Sequence, residues 1–280
     1  MDGVCASASF DKSWAVVNSC CDRFRFLIRS LVKLGFCFLV KEGLSHCSLW
    51  ESFFASVSPD DYGVYVHAKN SAPHPVLVGS CVDPDPIHTA WGDRSLVVAT
   101  QRLLSMAIDD DCDSMVLLSG DMLPLQSFRW IQEFCGQTRF SVQPQVGLSE
   151  RQIKANVKRF SLLSDYLCVS VEMLKKQNMF FSIKRDDFLK IVVEAEISEF
   201  PLHELADEYY WINHLTRIGA EWKSSNVVFC NPDPTKTQAL VLNLTPNLLS
   251  SCVSDGYAFI RKMADIDAGV IRALRRIYSA

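Results

Sequence analysis

Short apolar runs alternate with segments of helical period through the first half of the chain, and this switching of period constrains the fold more than any other feature. Phe36-Cys37-Phe38-Leu39-Val40 and Met115-Val116-Leu117-Leu118 are short and apolar on both faces, as strands buried inside a parallel sheet must be. Gly63-Val64-Tyr65-Val66-His67 and Val76-Leu77-Val78 read as further strands. Between the runs, Cys47 to Val57 sets Leu49, Trp50, Phe53, Phe54 and Val57 on one helical face. Asp93 to Ile108 does the same with Leu96, Val97, Thr100, Leu103, Leu104 and Ala107. Ser58-Pro59-Asp60-Asp61 and Asp83-Pro84-Asp85-Pro86 are the punctuation. Strands separated by helices predict a doubly wound, Rossmann-like α/β sheet, which binds ligands beyond the carboxyl ends of its strands.

The second half is less regular. A strand is expected at Phe180-Phe181-Ser182-Ile183, helices from Arg185 to Val193 and Leu205 to Ile218, and short strands at Val227 to Cys230 and Ala239 to Leu242. A basic helix, Ala268 to Tyr278, closes the chain. No internal repeat or linker splits it, so residues 1–34 read as an N-terminal extension and 35–280 as one domain. Trp50 and Trp91 are expected in the core.

Several function classes are excluded. A net charge of -4 over 280 residues argues against a general nucleic-acid binder. The 11 cysteines are scattered, with no C-x-x-C pair to build a zinc site. Several, such as Cys37 and Cys168, lie in apolar runs and are read as small hydrophobes in a reducing compartment. The most apolar stretch, Leu31 to Val40, contains Lys33 and is far short of the roughly 20 residues of a membrane span, and the N-terminus has no signal-peptide pattern. A soluble, cytoplasmic protein of microbial or viral origin is the expectation. There is no G-x-S-x-G elbow, Walker A loop or G-x-G-x-x-G fingerprint.

Two segments carry candidate chemistry. Ala206-Asp207-Glu208-Tyr209-Tyr210-Trp211 offers an acidic pair on an amphipathic helix, whose plain alternative is favourable charge in a first helical turn. Ala258-Phe259-Ile260-Arg261-Lys262-Met263 offers paired cations, whose plain alternative is a solvated basic pair.

The order of motifs adds to this. Phe38-Leu39-Val40-Lys41, Leu49-Trp50-Glu51-Ser52-Phe53-Phe54 and Tyr65-Val66-His67-Ala68 are followed by Trp91-Gly92-Asp93-Arg94-Ser95-Leu96-Val97 with Arg102-Leu103-Leu104. Then come Val116 to Leu125, Phe180 to Arg185, Asp207-Glu208-Tyr209 and Phe259 to Met263. From about residue 35 to about 265 this succession resembles the core-2/I-branching β-1,6-N-acetylglucosaminyltransferases and their peptide O-xylosyltransferase and plant relatives.

The resemblance implies a GT-A-type fold with a donor half at about 35–140 and an acceptor half at about 141–265. It implies inverting sugar transfer from a UDP-sugar to a glycan hydroxyl, without a metal. Glu208 then matches the general base. Lys262, beside Arg261, matches the cation that stabilises the leaving diphosphate; the second cation is open between Lys223 and Lys236. Val66, His67, Gly120 and Asp121 fall at the donor site, Gly120 by allowing close approach to the backbone. Trp222, Asp207 and Arg159 fall at the acceptor site, with Arg151, Lys154 and Lys158 near it or on a solvated helix face. UDP-xylose is slightly preferred to UDP-N-acetylglucosamine, because a pentose needs no pocket for an N-acetyl or hydroxymethyl group. Two alternatives stay open. One is a non-catalytic binding protein of the same fold. The other is a metal-dependent nucleotide-sugar enzyme built on Asp83 and Asp85; the D-x-D runs at Asp109 to Asp113 precede a strand and would sit at its amino end.

Overall fold

The computed structural model describes residues 32–280 apart from 42, 70–76, 144–148, 203 and 231–241, and the side chains of 242, 264 and 265. Its first strand, β1 (Leu34–Val40), lies between β2 (Tyr62–Ala68) and β4 (Ser114–Ser119), parallel to both, with β3 (Cys81–Val82) parallel to β2 at the edge. The sheet continues through β7 (Gln177–Lys184), β6 (Arg139–Val142) and β8 (Lys223–Ser224), giving the order β3-β2-β1-β4-β7-β6-β8. Only β7 runs against the rest. Strand order reverses between β1 and β4, so a crevice forms beyond their carboxyl ends. This mixed α/β sheet is the GT-A-like arrangement that the resemblance implies.

The helical segments follow from their apolar faces. Helix α1 (Cys47–Phe54) buries Leu49, Trp50, Phe53 and Phe54. Phe36 of β1 meets Trp50, Phe53 and Phe54 edge-on at 6.1, 5.9 and 5.1 Å. The Trp50 indole N–H, fully buried, is satisfied by the Met122 carbonyl at 2.9 Å. Helix α2 (Arg94–Asp109) starts where Asp93 caps it, accepting the Ser95 N–H at 2.8 Å, and packs on β1 and β2. Cys37 is buried as expected, but Cys168 is exposed, holding a left-handed C-cap at φ 54°. That cap ends α4 (Glu150–Leu167), which follows α3 (Phe128–Cys135).

Two expectations are corrected, and a third falls mostly outside the described residues. Leu77 and Val78 enter a turn in which Val78 is 96 % exposed, and the edge strand is Cys81–Val82; residue 76 lies outside the described residues. Ala239 to 241 also lie outside them, and the strand there is β10 (Leu242–Leu244). The expected helix from Leu205 to Ile218 is two pieces, a 3-10 turn at Ala206–Glu208 and α6 (Tyr210–Arg217), broken at Tyr209 with φ -127°.

The C-terminal third returns to the crevice. A small sheet orders β5 (Leu123–Pro124), β11 (Phe259–Ile260) and β9 (Val228–Phe229), pairing Ile260 with Leu123. It ties Arg261 and Lys262 to the loop that leaves β4. After β12 (Met263–Ile266), α8 (Ala268–Tyr278) packs beside α7 (Pro246–Ser254) and on α1. Helix α5 (Arg185–Glu194) follows β7 directly. Among the described residues no helix is long and apolar enough to cross a membrane.

Candidate active site

The acidic segment reaches the crevice through the loop before α2. Gly92, in the left-handed region at φ 67°, turns that loop so that its carbonyl accepts the Ala206 N–H at 3.3 Å, and Asp93 bridges to Glu204. Leu205, at φ 58°, then redirects the chain into the 3-10 turn carrying Asp207 and Glu208. Glu208 Oε2 lies 2.8 Å from Lys176 Nζ, with 19 % and 16 % of the two side chains exposed. The approach is an ion pair without hydrogen-bond alignment. Asp207 is buried, and its Oδ1 has no hydrogen-bond partner among the described residues. Burial first, and the charge of Glu208 second, push its carboxyl up to about 7.

Near the basic segment, Asp121 leaves β4 with Oδ1 accepting from the Ser119 hydroxyl. Arg261 Nε lies 3.6 Å from the same oxygen, and its guanidinium stands 4.7 Å over the Phe180 ring. The Lys262 ammonium, next in the chain, makes no hydrogen bond or ion pair among the described residues. Asp121, Lys176, Glu208 and the neighbours Arg261 and Lys262 thus come from four separate stretches to the carboxyl edge of one sheet. Among the described residues no group of three or more His, Cys, Asp or Glu is arranged to hold a metal.

Several of the residues expected at a donor site have a structural employment instead. Val66 is fully buried and its carbonyl accepts the Asp83 N–H at 2.8 Å. His67, 1 % exposed, accepts the Ile87 N–H on Nε2 at 3.1 Å, and burial holds its imidazole below the ordinary range. Both brace the loop after β3. At Gly120, an added Cβ would stand 2.3 Å from the Gly43 carbonyl oxygen. The close approach this glycine permits is therefore with the chain's own backbone, not with a donor on that face. Asp83 is buried, with both carboxylate oxygens on Arg102 at 2.7 and 2.9 Å, while the Asp85 side chain is 90 % exposed.

Residues 34–164 match the family model of the Core-2/I-Branching enzyme. They form a core-2/I-branching enzyme domain. The family is one of glycosyltransferases, so a nucleotide-sugar donor and a glycan acceptor go with it. No curated protein matches the chain. The match runs from β1 almost to the end of α4, taking in His67, Gly120, Asp121 and Arg159, and stops short of Glu208 and Lys262.

Of the residues expected at an acceptor, Arg159 of α4 lies in the core-2/I-branching domain. Its guanidinium lies 3.5 Å from Glu204 and touches the Tyr209 hydroxyl, which donates to Asn156 at 3.0 Å. Arg151, Lys154 and Lys158 are on the same helix, all exposed. Trp222 is placed elsewhere. It packs edge-on against Phe140 at 6.1 Å and precedes β8, whose Lys223 N–H bonds Thr138. Thr138 bonds Asp187, beyond the far end of β7, so Trp222 and Lys223 sit toward the amino edge, opposite Glu208. Lys236 lies outside the described residues.

Sequence reasoning missed two groups. Lys176 stands in no motif; only its place just before a strand that starts at the site's edge of the sheet marks it. Trp91, expected in the core, is 88 % exposed, because the turn at Gly92 spends its backbone on the Ala206 segment and leaves the indole outside.

Proposed function

We propose that the chain transfers a sugar, with inversion and without a metal, from a UDP-sugar to a glycan hydroxyl. Glu208 takes the acceptor hydroxyl proton as that oxygen attacks the anomeric carbon from the face opposite the diphosphate. The bond from that carbon to the diphosphate oxygen breaks, and its electron pair leaves with UDP. Lys262, with Arg261 beside it, stands against the charge that develops there, as fixed electrostatic stabilisation requires. Asp207 packs behind the base, and Arg159 borders the acceptor. UDP-xylose remains the slightly preferred donor, for the size argument given above.

The observation that carries this reading is the gathering of the Lys176–Glu208 pair and the Asp121–Arg261 pair at the carboxyl edge of the sheet, beside the switch point. A metal on Asp83 and Asp85 is less favoured, since Arg102 already occupies both oxygens of Asp83. The test is UDP release from a panel of UDP-sugars in chelator, for wild type and Glu208→Gln. A positioned base contributes roughly 10²–10⁴ in rate, so one donor should turn over in wild type and lose that factor in the variant. Equal turnover in the variant would remove Glu208 from the mechanism. Absence of both turnover and calorimetric UDP binding would remove the donor site.

A further inference from the structure

The stretch Lys175-Lys176-Gln177, at the start of β7, holds the Glu208 turn from three directions. Gln177 is fully buried; its Nε2 donates to the Asp207 carbonyl at 3.4 Å and its Oε1 accepts the Ile212 N–H at 2.9 Å. One side chain therefore bonds the backbone on both sides of Glu208. Lys175 exchanges bonds with the Asn213 amide at 2.9 and 2.8 Å, and that amide also donates to the Tyr209 carbonyl at 2.7 Å. Lys176 is anchored in turn, its carbonyl accepting the Gln143 N–H at 2.8 Å. A 3-10 turn bounded by a left-handed Leu205 and an irregular Tyr209 has few hydrogen bonds of its own to fix a side chain. The rigid sheet supplies them.

We infer that Lys176 is a positioning residue for Glu208, fixing Oε2 and leaving Oε1 as the oxygen that accepts the acceptor proton. Oε2 is buried against the ammonium although the side chain keeps 19 % exposure. The pair follows the general pattern of a base oriented by a further group that does not itself react. Its charge matters as well as its geometry. The groups facing Glu208 are Asp207 on its own turn, Lys176 just before β7 and, through Tyr209, Arg159 from α4. Without the ammonium, two carboxyl groups would share a shielded corner, and one would hold its proton to higher pH. The inference rests on Glu208 acting as the base.

The experiment is the pH dependence of donor turnover, read as UDP release, for wild type, Lys176→Met, Lys176→Arg and Glu208→Gln. Lys176→Met should lower kcat roughly 10- to 100-fold with little change in donor KM, the loss expected of a misaimed base. It should also move the acid limb of kcat/KM up by about one pH unit. Lys176→Arg, which keeps the charge, should recover most of the rate and return the limb. If Lys176→Met does not fold, Lys176→Gln replaces it with the same expectation. An unchanged kcat and limb in Lys176→Met, with Glu208→Gln inactive, overturns this inference alone. A lowered kcat with an unmoved limb, not recovered by arginine, also overturns it and marks Lys176 as structural. Full turnover in Glu208→Gln overturns the base assignment itself.

Discussion

Lowering pH should weaken the fold through His214, on the helix that follows the candidate base. His214 is 1 % exposed, and neither ring nitrogen has a hydrogen-bond partner among the described residues. It sits among Tyr210, Phe200 and Tyr166, with ring centroids at 4.5, 5.8 and 6.0 Å. Burial, with a smaller contribution from the Arg217 charge, lowers its pKa from an ordinary 6.5 to about 4. Between those values the unfolded chain binds a proton that the folded chain refuses, so stability falls as pH falls from about 6.5 to about 4. At about 1.4 kcal/mol for each pKa unit, the gap corresponds to about 3 kcal/mol. The surrounding ring faces attract a cation by roughly 0.5–2 kcal/mol and set the direction of any shortfall. The perturbation is His214→Leu, which keeps the volume and removes the titration. Urea unfolding of both proteins at neutral pH and near pH ~4.5 measures it. The stability of wild type relative to the variant should fall by about 2–3 kcal/mol on acidification. A difference that stays flat within about 0.5 kcal/mol would refute the reasoning, since that is the scatter expected of an uncoupled substitution.

Other expectations follow from the same contacts. Lys262→Ala should leave thermal unfolding unchanged but weaken UDP binding roughly 10- to 100-fold by calorimetry, the loss of one hydrogen bond to a charged group. Asp83→Asn should cost about 2–4 kcal/mol, because it strips the buried partner from the partly exposed Arg102, while Asp85→Asn should cost almost nothing. Metal-dependent turnover lost equally in both variants would restore the metal reading. Trp50→Ala should cost about 3–5 kcal/mol, and Trp91→Ala should stay within about 0.5 kcal/mol in urea unfolding.

By itself the sequence determined the elements of the sheet and their type. The runs at Phe36, Val64 and Met115 and the faces of α1 and α2 are local patterns, and burial of an apolar run depends little on which strand lies beside it. It also carried, through the order of its motifs, the family and the two segments that bring an acidic pair and a basic pair. What it could not carry were facts of register and approach. Trp222 follows the acidic segment closely in sequence, yet pairing of β8 with β6 takes it to the other edge. Trp91 has the composition of a core residue and lies outside because Gly92 binds the Ala206 turn. The helical pattern from Leu205 to Ile218 breaks at Tyr209, where Asn213 and Gln177 claim the backbone on either side. Lys176 meets Glu208 only because β7 runs against its neighbours and begins at the carboxyl edge. Periodicity is written in neighbouring residues, whereas which charge faces which depends on hydrogen bonds between segments far apart in the chain, and only the tertiary structure decides those.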